Sequence, residues 1–519
     1  MYFLSRFLLV FNVCLLLGCA QVGEISGGEI DAAAPKIVRE KSTADSLINF
    51  NKNAITLTFD EFFELKNPEE SIIILPQHAQ LKSAIKQKEL IVSWDDSLKE
   101  NTTYVIYINN ALKDINEGND SLYKLVFSTG SYIDSLTHSV EVKDAWSQQP
   151  VSNCTVALYS ANDSITPTYF SRTDMTGTAT FAYLKSGKYK LLGFKDDNSD
   201  LTIQASEPLA FIEDSLMITS DTANNKTQLR LFNQEPKKQI NFTFQGPERM
   251  TIAANFNLDT FQLQINNTLI DSSRIVKHNS DSCSIFIQNI LGNDVQVFIN
   301  SSTFQDTNTV RVLDKEKVAH LKLKPLGDLS QLVVGQIISL EVNALITSID
   351  TSKIFIKNEN QEPVPFIAQL EKNQLFLKLN NQGSIKGTIG FEQNAITNFG
   401  NQIQDSIQFN FEVKTADAFG KVLIDGSKLE GNILVYLYQK GKLIDKRPLL
   451  SDGKCTFDKL IPGEYSLCFV LDENNNGKWD TGDLSIKSQP EKNNWYPGIV
   501  KVRRNWDLEL ELSQDFKDE

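Results

Sequence analysis

Short segments in which apolar and polar residues alternate recur along almost the whole chain. Residues 54–60 (AITLTFD), 89–94 (ELIVSW) and 103–108 (TYVIYI) are typical, and stretches rich in Asn, Asp, Ser and Gly separate them. A period of two places alternate side chains on opposite faces of a strand, so this pattern predicts half-buried strands joined by turns. Many short strands with regular turn signals are typical of β-sandwiches, and the sequence therefore predicts an all-β fold of tandem β-sandwich domains.

Two kinds of unit each occur twice, which predicts duplicated domains. The motif Thr-Phe-x-x-Leu-x-x-Gly-x-Tyr-x-Leu starts at Thr180 and again at Thr456, with six identities in one ungapped window. Its Gly is expected to form a hairpin turn, while the Phe, Tyr and Leu fill one face. The expected organisation is a signal peptide (1–18), a flexible tether (19–35), two units of one kind (36–130 and 331–415), two of the other (135–215 and 416–513), and a divergent β domain (216–330).

The first residues have the pattern of a secretory signal. One cation, Arg6, precedes an apolar run over residues 7–17, which is shorter than the ~20 residues that span a bilayer. The LLGC sequence at 16–19 resembles the lipobox of bacterial lipoproteins. That resemblance implies cleavage before Cys19, acylation of its thiol and attachment of the mature chain to a lipid bilayer. The alternative is an ordinary secretory signal that happens to contain a cysteine.

Net charge and cysteine content narrow the function further. The chain of 519 residues has a formal charge of −14, which disfavours nucleic acid as a partner. Of the cysteines beyond the signal, only Cys455 and Cys468 are close in sequence, on two strands of one predicted hairpin. They either form a bridge, which an exported protein permits, or are small buried side chains like Cys154 and Cys283.

Several motifs together resemble a known family. Residues 36–130 resemble the bacterial Ig-like domain first described in S-layer proteins, and the units at 135–215 and 416–513 resemble the prealbumin-like, Cna B-type fold. Further markers are NTTY at 101–104, FSTG at 127–130, QPEK at 489–492 and RRNWD at 503–507. With the lipobox, this order is similar to that of a Bacteroidota family of Ig-like-domain lipoproteins. The resemblance implies tandem Ig-like and prealbumin-like β-sandwiches in an outer-membrane lipoprotein, on its periplasmic or cell-surface side. The family has no established biochemical activity.

One segment has the residue spacing of a calcium loop. Residues 472–483 (DENNNGKWDTGD) carry oxygen side chains at positions 1, 3, 5, 9 and 12, and Gly at position 6. This EF-hand-like spacing predicts Ca²⁺ as a structural cofactor. However, position 12 is Asp rather than Glu, and the flanks are predicted strands, so a simple turn is the alternative. The expected ligands are Asp472, Asn474, Asn476, Lys478 through its carbonyl, Asp480 and Asp483.

The other copy of this unit supplies a comparison for the loop. Asp196, Asn198, Asp200 and Glu207 fall at positions 1, 3, 5 and 12. Leu201 replaces the Gly of position 6, which indicates a degenerate copy.

The sequence contains no catalytic motif: its histidines are scattered, and it has neither a nucleophile elbow nor a phosphate-binding loop. Trp479, Trp495, Tyr496 and Trp506 cluster in the last unit, where they either cap the core or form a ligand platform. We therefore expect no enzyme but a non-catalytic cell-envelope lipoprotein, an elongated β-domain scaffold or adhesion or assembly factor with an envelope protein or a glycan as its partner. The alternatives are a glycan-binding surface lipoprotein and, since carboxylates are plentiful, a cell-wall or carbohydrate-active enzyme.

Overall fold

The computed structural model describes residues 35–512 apart from 78–80, 96, 115–119, 161–165, 199, 205, 221–225, 235–237, 245–248, 259, 279–280, 288–293, 302–303, 312–319 and 399–402. The expected signal peptide and Cys19 lie outside the described residues. No helix in the described part of the chain is long and apolar enough to cross a membrane. The strands fall into five successive β domains, here numbered first to fifth, and the chain is all-β as predicted.

The first domain packs two antiparallel sheets face to face, in the orders β1-β5-β4 and β2-β6-β3, with β7 beside β6. The alternation seen in the sequence places Ile55 and Leu57 of β1 in the core, and Phe127 of β7 is fully buried among Phe50, Trp94 and other rings. The elements are β1 (Ala54–Thr58), β2 (Phe63–Leu65), α1 (Pro68–Ser71), β3 (Ile72–Leu75), β4 (Leu81–Lys86), β5 (Glu89–Trp94), β6 (Thr103–Asp114) and β7 (Asp120–Ser128).

The second domain combines a sheet in the order β10-β9-β12-β13, with β14 also on β12, and a sheet in the order β11-β8-β15. In the second sheet β15 runs parallel to β8. The strands are β8 (Leu136–Asp144), β9 (Thr155–Ser160), β10 (Tyr169–Arg172), β11 (Thr178–Leu184), β12 (Gly187–Phe194), β13 (Leu209–Phe211), β14 (Leu216–Ile218) and β15 (Lys226–Leu231).

The third domain consists of two four-stranded sheets, β16-β17-β21-β20 and β19-β18-β22-β23. Its core is small and contains Met250, Ile252, Ile285 and Val297. The strands are β16 (Ile240–Phe244), β17 (Arg249–Ala254), β18 (Phe261–Ile265), β19 (Thr268–Leu269), β20 (Ile275–Lys277), β21 (Ser282–Phe286), β22 (Asp294–Ser301) and β23 (Gln305–Arg311).

The fourth domain resembles the first in its sheet order. Its sheets are β24-β26-β30-β29 and β25-β33-β31-β28, and a two-stranded pair, β27-β32, lies beside them. The strands are β24 (Leu323–Pro325), β25 (Leu332–Val333), β26 (Ile337–Val342), β27 (Ile346–Ile349), β28 (Ile354–Asn358), β29 (Phe366–Glu371), β30 (Gln374–Leu379), β31 (Ile385–Phe391), β32 (Ile396–Asn398) and β33 (Ile407–Lys414).

The fifth domain repeats the topology of the second strand by strand. Its sheets are β36-β35-β38-β39, with β40 on β38, and β37-β34-β41, in which β41 is again the parallel edge strand. The strands are β34 (Gly420–Asp425), β35 (Ile433–Gln439), β36 (Lys442–Pro448), β37 (Lys454–Leu460), β38 (Gly463–Leu471), β39 (Asn493–Trp495), β40 (Val500–Val502) and β41 (Asp507–Glu511). Single turns of 3₁₀ helix occur at Arg39–Lys41, Ser272–Arg274, Leu329–Gln331, Thr351–Lys353 and Ala416–Ala418.

Two expected domain boundaries need correction. The strand β15 falls in the range expected for the divergent region, but its pairing with β8 makes it part of the second domain. Likewise β24 begins before residue 331 and pairs with β26 of the fourth domain. In both places an edge strand that is distant in sequence completes a sheet, and strand alternation alone does not indicate which sheet a strand joins.

Candidate cation loops and the contact between the second and fifth domains

The loop that follows β38 is wound around one buried carboxylate. Asp472 is 2% exposed. Its Oδ1 accepts a hydrogen bond from the backbone N–H of Asn476 (3.0 Å), and its Oδ2 accepts one from Gly477 (2.9 Å). The sharp turn needs a positive φ of +77° at Gly477, a conformation that glycine adopts at little cost.

The alternate side chains of the loop converge as the spacing predicts. Asn474 Oδ1 accepts from the Asn476 N–H, Asn476 Oδ1 accepts from the Lys478 N–H, and both side-chain amides donate to Asp480 Oδ2. Lys478 Nζ lies 2.8 Å from Asp480 Oδ1. Burial disfavours the ionised form of Asp480, but Lys478 and the two amides outweigh it and hold the pKa of this carboxyl below its usual value.

The sixth predicted ligand does not join this group. The carboxylate of Asp483 instead accepts hydrogen bonds from the N–H (2.7 Å) and Oγ (2.6 Å) of Ser485, which lower its pKa. Glu491 takes its place beside the loop: Oε1 accepts from the Glu473 N–H (2.9 Å) and Oε2 from the Asp480 N–H (3.0 Å). Burial raises the pKa of Glu491, and the neighbouring carboxylates of the loop raise it further.

A fixed twelve-residue count misses Glu491, because the chain makes an excursion between Asp480 and Glu491. Among the described residues no group of three or more His, Cys, Asp and Glu side chains has the spacing of a metal site. The donors of this loop instead mix carboxylates with amide and backbone oxygens, a set that suits Ca²⁺ and that transition metals do not favour. The residues fit a hard cation of calcium size.

The fifth domain lies against the second, and one indole is central to the contact. Trp146 follows β8 and packs on four aromatic rings of the fifth domain, with centroids 5.0–6.5 Å away: Tyr436, Tyr438, Trp479 and Trp495. Its backbone oxygen accepts hydrogen bonds from Asn493 Nδ2 and Trp495 Nε1, both at 2.9 Å. Gln148 Nε2 donates to Asn493 Oδ1 at 2.6 Å. We call these contacts, with those described next, the second–fifth interface.

The excursion between Asp480 and Glu491 forms the rest of the interface. Thr481 Oγ1 donates to the Asn233 carbonyl (2.7 Å), and Gln489 Nε2 donates to the Phe211 carbonyl (2.9 Å). A Cβ on Gly482 would lie 2.5 Å from the Phe232 ring, so only glycine fits there. Trp479 and Leu484 complete an apolar cluster with side chains of the second domain, among them Phe194, Ile203, Phe211 and Phe232.

This arrangement corrects the expectation of an elongated scaffold, because the fifth domain lies against the second. The fifth domain packs back onto the second, although the third and fourth domains lie between them in the sequence. Aromatic side chains of the second and fifth domains bury one another at this contact. The loop lies at this interface rather than at a free end.

The four aromatic residues expected either to cap the core or to form a ligand platform are placed differently from one another. Trp479 donates its Nε1–H to the Glu491 carbonyl (3.0 Å), and Trp495 donates to Trp146, so both take part in the interface. Tyr496 packs against the core of the fifth domain, and Trp506 is 54% exposed. Ligand binding by these residues stays a prediction, with Trp506 as its most accessible member.

The cysteines in the described part of the chain are free and buried. Cys455 lies on β37 and pairs with Ile424 of β34, whereas Cys468 lies on β38 between Tyr436 and Trp495 in the other sheet. Burial raises the pKa of Cys455 to about 12 and also raises that of Cys468. Of the two alternatives for this pair, the structure has the small buried side chains.

Comparison with known proteins gives matches for the first two domains. Residues 31–129 match a family model described as a bacterial Ig-like domain, and residues 134–218 match one described as a DR_A0283-like, Ig-like domain. No curated protein sequence matches the chain. For the second domain the match supports an Ig-like description, where the sequence resemblance implied a prealbumin-like one.

Three solved structures illustrate how distant the structural likeness is. Domains 1–6 of the surface layer protein SbsC share 11% identity over 91% of this chain and 67% of that one, with a TM-score of 0.15. The major pilin subunit BcpA of Bacillus cereus shares 10% over 74% and 100%, with a TM-score of 0.14. The Bacillus anthracis TIE protein shares 8% over 94% and 76%, with a TM-score of 0.15. At these scores the likeness carries no functional argument, and the family matches stand alone: the chain contains bacterial Ig-like domains within an all-β fold.

Proposed function

We propose that this chain is a non-catalytic cell-envelope lipoprotein, held to the outer membrane by lipid on Cys19, whose β domains form a scaffold for adhesion or for assembly with another envelope protein. The observation that supports this most is the second–fifth interface. The second and fifth domains, which are the ends of a run of four consecutive domains, are joined by the four ring contacts of Trp146 and by the hydrogen bonds of Asn493. A scaffold must hold separate surfaces in fixed relative positions, and a closed arrangement does this better than a string of independent domains.

A second part of the proposal concerns Ca²⁺. We infer that the fifth-domain loop binds a structural Ca²⁺ through Asp472, Asn474, Asn476, Asp480 and the carbonyl of Lys478, with Glu491 completing the set in place of Asp483. Because the excursion that docks on the second domain starts and ends at two of these ligands, the cation would also stabilise the interface.

Lipid attachment is tested by a matched pair of cysteine variants. Cys19→Ser should abolish labelling by a radioactive fatty acid and release the protein from the membrane fraction. Cys14→Ser changes a cysteine that is expected to leave with the signal, so it should keep both properties. Labelling of the Cys19→Ser protein would contradict the proposed anchor.

The scaffold role is tested by crosslinking in intact cells. Envelope proteins crosslinked to the wild-type chain should be lost or reduced with Trp146→Ala, which opens the interface, and retained with Trp506→Ala, which changes an exposed ring outside it. If instead a glycan array gives binding that Trp506→Ala abolishes, the glycan-binding alternative replaces this proposal.

The calcium part is tested by thermal unfolding of the mature chain with and without EDTA. The chelator should lower the melting temperature of the wild-type chain and of Asp483→Asn, because Asp483 lies apart from the ligands. It should have a much smaller effect on Asp472→Asn. A melting temperature that EDTA does not change would refute the site.

A further inference from the structure

The second domain contains a loop built like the one in the fifth. It follows β12, as the other follows β38, and begins at Asp196. Asp196 Oδ2 accepts a hydrogen bond from the N–H of Leu201 five residues on (3.4 Å), just as Asp472 Oδ2 accepts one from Gly477 (2.9 Å). Leu201 has a φ of +58°, in the same left-handed region as Gly477. Position 6 thus keeps its left-handed conformation and its bond to the first carboxylate although glycine is absent.

The next side chains also repeat the pattern. The Asp200 N–H donates to Asn198 Oδ1 (3.3 Å), and the Thr202 N–H donates to Asp200 Oδ1 (2.7 Å). In both loops, the backbone N–H at position 5 donates to the side chain at position 3, and the backbone N–H at position 7 donates to the side chain at position 5. Asp200 Oδ2 accepts from Asn198 Nδ2 (2.9 Å) and Gln204 Nε2 (3.3 Å), so polar groups converge here too.

Glu207 corresponds to Glu491. Its Oε2 accepts from the N–H of Gln204 (3.0 Å), and Glu491 Oε2 accepts from the N–H of Asp480 (3.0 Å), the residue at the same position 9. Both glutamates are 7% exposed. The step from position 9 to the glutamate is 3 residues here and 11 in the fifth domain. The second-domain loop is thus the compact form of the same construction.

One buried oxygen distinguishes this loop from the other. Asp196 is 8% exposed, and its Oδ1 is buried without any hydrogen-bond partner. In the fifth domain the corresponding oxygen of Asp472 is satisfied by the N–H of Asn476. A buried carboxylate oxygen without a donor is unfavourable, and native structures leave few such atoms unsatisfied.

The loop from Asp196 to Glu207 contains no lysine or arginine that could compensate Asp196. The nearest lysine in sequence, Lys195, donates its Nζ to the carbonyl of Ser152 (2.9 Å). Position 7, which in the other loop is Lys478 and pairs with Asp480, is Thr202 here. Asp196, Asp200 and Glu207 thus border a loop without a lysine; these carboxylates do not by themselves have the spacing of a metal site, so amide and backbone oxygens must contribute, as in the fifth-domain loop.

We propose that this second-domain loop is a cation site, with Asp196, Asn198, Asp200, Glu207 and the carbonyl of Thr202 as its ligands. Oxygen-only donors of irregular spacing favour a hard cation that accepts irregular coordination, which indicates Ca²⁺ rather than Mg²⁺. The site does not depend on whether the fifth-domain loop binds Ca²⁺. Ile203, which lies within the loop, packs in the apolar cluster of the second–fifth interface, so a cation here would order one side of that contact.

Titration calorimetry of the mature full-length chain, stripped with EDTA and titrated with CaCl₂, tests the proposal. In the Asp472→Asn background one binding event per chain should remain, and adding Asp196→Asn or Glu207→Gln should remove it or weaken it at least tenfold. Asp197→Asn, which changes the exposed neighbour of Asp196, should leave it intact. Loss of all binding in Asp472→Asn alone, or a binding event unaffected by Asp196→Asn, would overturn the proposal. Failure of the fifth-domain site is distinguishable, because Asp472→Asn would then leave the wild-type stoichiometry unchanged.

Thermal unfolding separates ligation from a purely structural role. In EDTA, Asp196→Asn should melt at or above the wild-type temperature, because it removes a buried charge that lacks a partner. In excess CaCl₂ the order should reverse, since only the wild-type loop gains a ligated cation. A variant that melts lower than wild type by the same amount in both conditions would show that Asp196 is only a structural residue.

Discussion

Replacing Trp146 with alanine should open the second–fifth interface while leaving both domains folded. The indole extends from the end of β8 onto the fifth domain and contacts four rings there. It is not part of the central core of either domain. Because Asn493 and Trp495 donate to the backbone oxygen of residue 146, the variant keeps this acceptor and loses only the ring.

The size of the effect follows from the area that the ring buries. A tryptophan buries about 200 Å² when fully enclosed, and because Trp146 keeps part of its surface exposed, we assign about half of that area to its contact with the fifth domain. Half of that area at about 25 cal/mol per Å² gives roughly 2.5 kcal/mol. Favourable edge-to-face geometry adds about 1 kcal/mol. Closure should therefore weaken by about 3–4 kcal/mol, which is more than 100-fold at about 1.4 kcal/mol per factor of ten.

Hydrogen exchange measured by mass spectrometry is the suitable assay, because it reports the opening of separate segments. Peptides covering residues 145–149 and 479–495 should lose protection in Trp146→Ala, while peptides from the core strands of the first domain should not change. Trp506→Ala, which removes an exposed ring, is the matched control and should behave as wild type. Unchanged protection in 479–495 after the Trp146 substitution would refute the reasoning.

Three further predictions concern the domains separately. Phe127→Ala should destabilise the first domain by about 3–5 kcal/mol, because it removes a fully buried ring. Tyr132→Ala, at a site that is 52% exposed, is the control and should cost less than about 0.5 kcal/mol. Urea unfolding measures both free energies, and equal losses would contradict the packing of Phe127. Cys455 and Cys468 should react with a thiol reagent only after unfolding, and a reductant should not change the melting temperature; fast reaction of the native chain would contradict their burial. Burial would raise the pKa of Glu341, but its ion pair with Lys324 and the nearby positive groups hold that pKa below its usual value. The ionised carboxylate therefore stabilises the fold at pH values above the usual glutamate pKa, and this stabilisation is lost as the pH falls through the lowered pKa. Glu341→Gln should thus cost about 1–3 kcal/mol near neutral pH and flatten the acid side of the stability profile, and an unchanged profile would contradict the assignment.

The β architecture was predictable because it depends on local patterns. Ile55 and Leu57 alternate with polar residues and are buried as expected. The glycine of the repeated motif begins β12 at Gly187 and β38 at Gly463, but the hairpin expected there is wrong, because β11 and β12, like β37 and β38, lie in different sheets. Period-two alternation and turn residues act over a few positions, so they are visible in a single sequence.

The closure between domains was not predictable in the same way. Gln148 and Asn493 are 345 positions apart, and neither has a local pattern that indicates a partner. Trp146 stands alone after a strand, where an aromatic residue is as compatible with capping its own core as with contacting another domain. Only the folded arrangement shows which rings it meets.

The candidate cation loops show both outcomes within one feature. Hydrogen bonds join the side chains of Asn474, Asn476 and Asp480, as the alternate spacing of a cation loop requires, and their binding of Ca²⁺ stays a prediction. The prediction of Asp483 as the last ligand was wrong in its geometry. The carboxylate that faces the loop belongs to Glu491, which follows an excursion of the chain. The sequence indicates a degenerate second-domain loop, because Leu201 replaces glycine and Gln204 stands at position 9, yet Leu201 has a φ in the same left-handed region as Gly477.

The central claim is that the fifth domain is docked on the second, and a short thiol crosslink tests it most directly. In a Cys19→Ser chain, Gln148→Cys and Asn493→Cys place thiols where the native side chains are hydrogen-bonded at 2.6 Å, and the buried native cysteines should remain unreactive. A short bifunctional thiol reagent should then give one intramolecular crosslink per chain under native conditions, and the crosslink should disappear in urea. Two separately modified cysteines in the native chain, with no crosslink, would contradict the account.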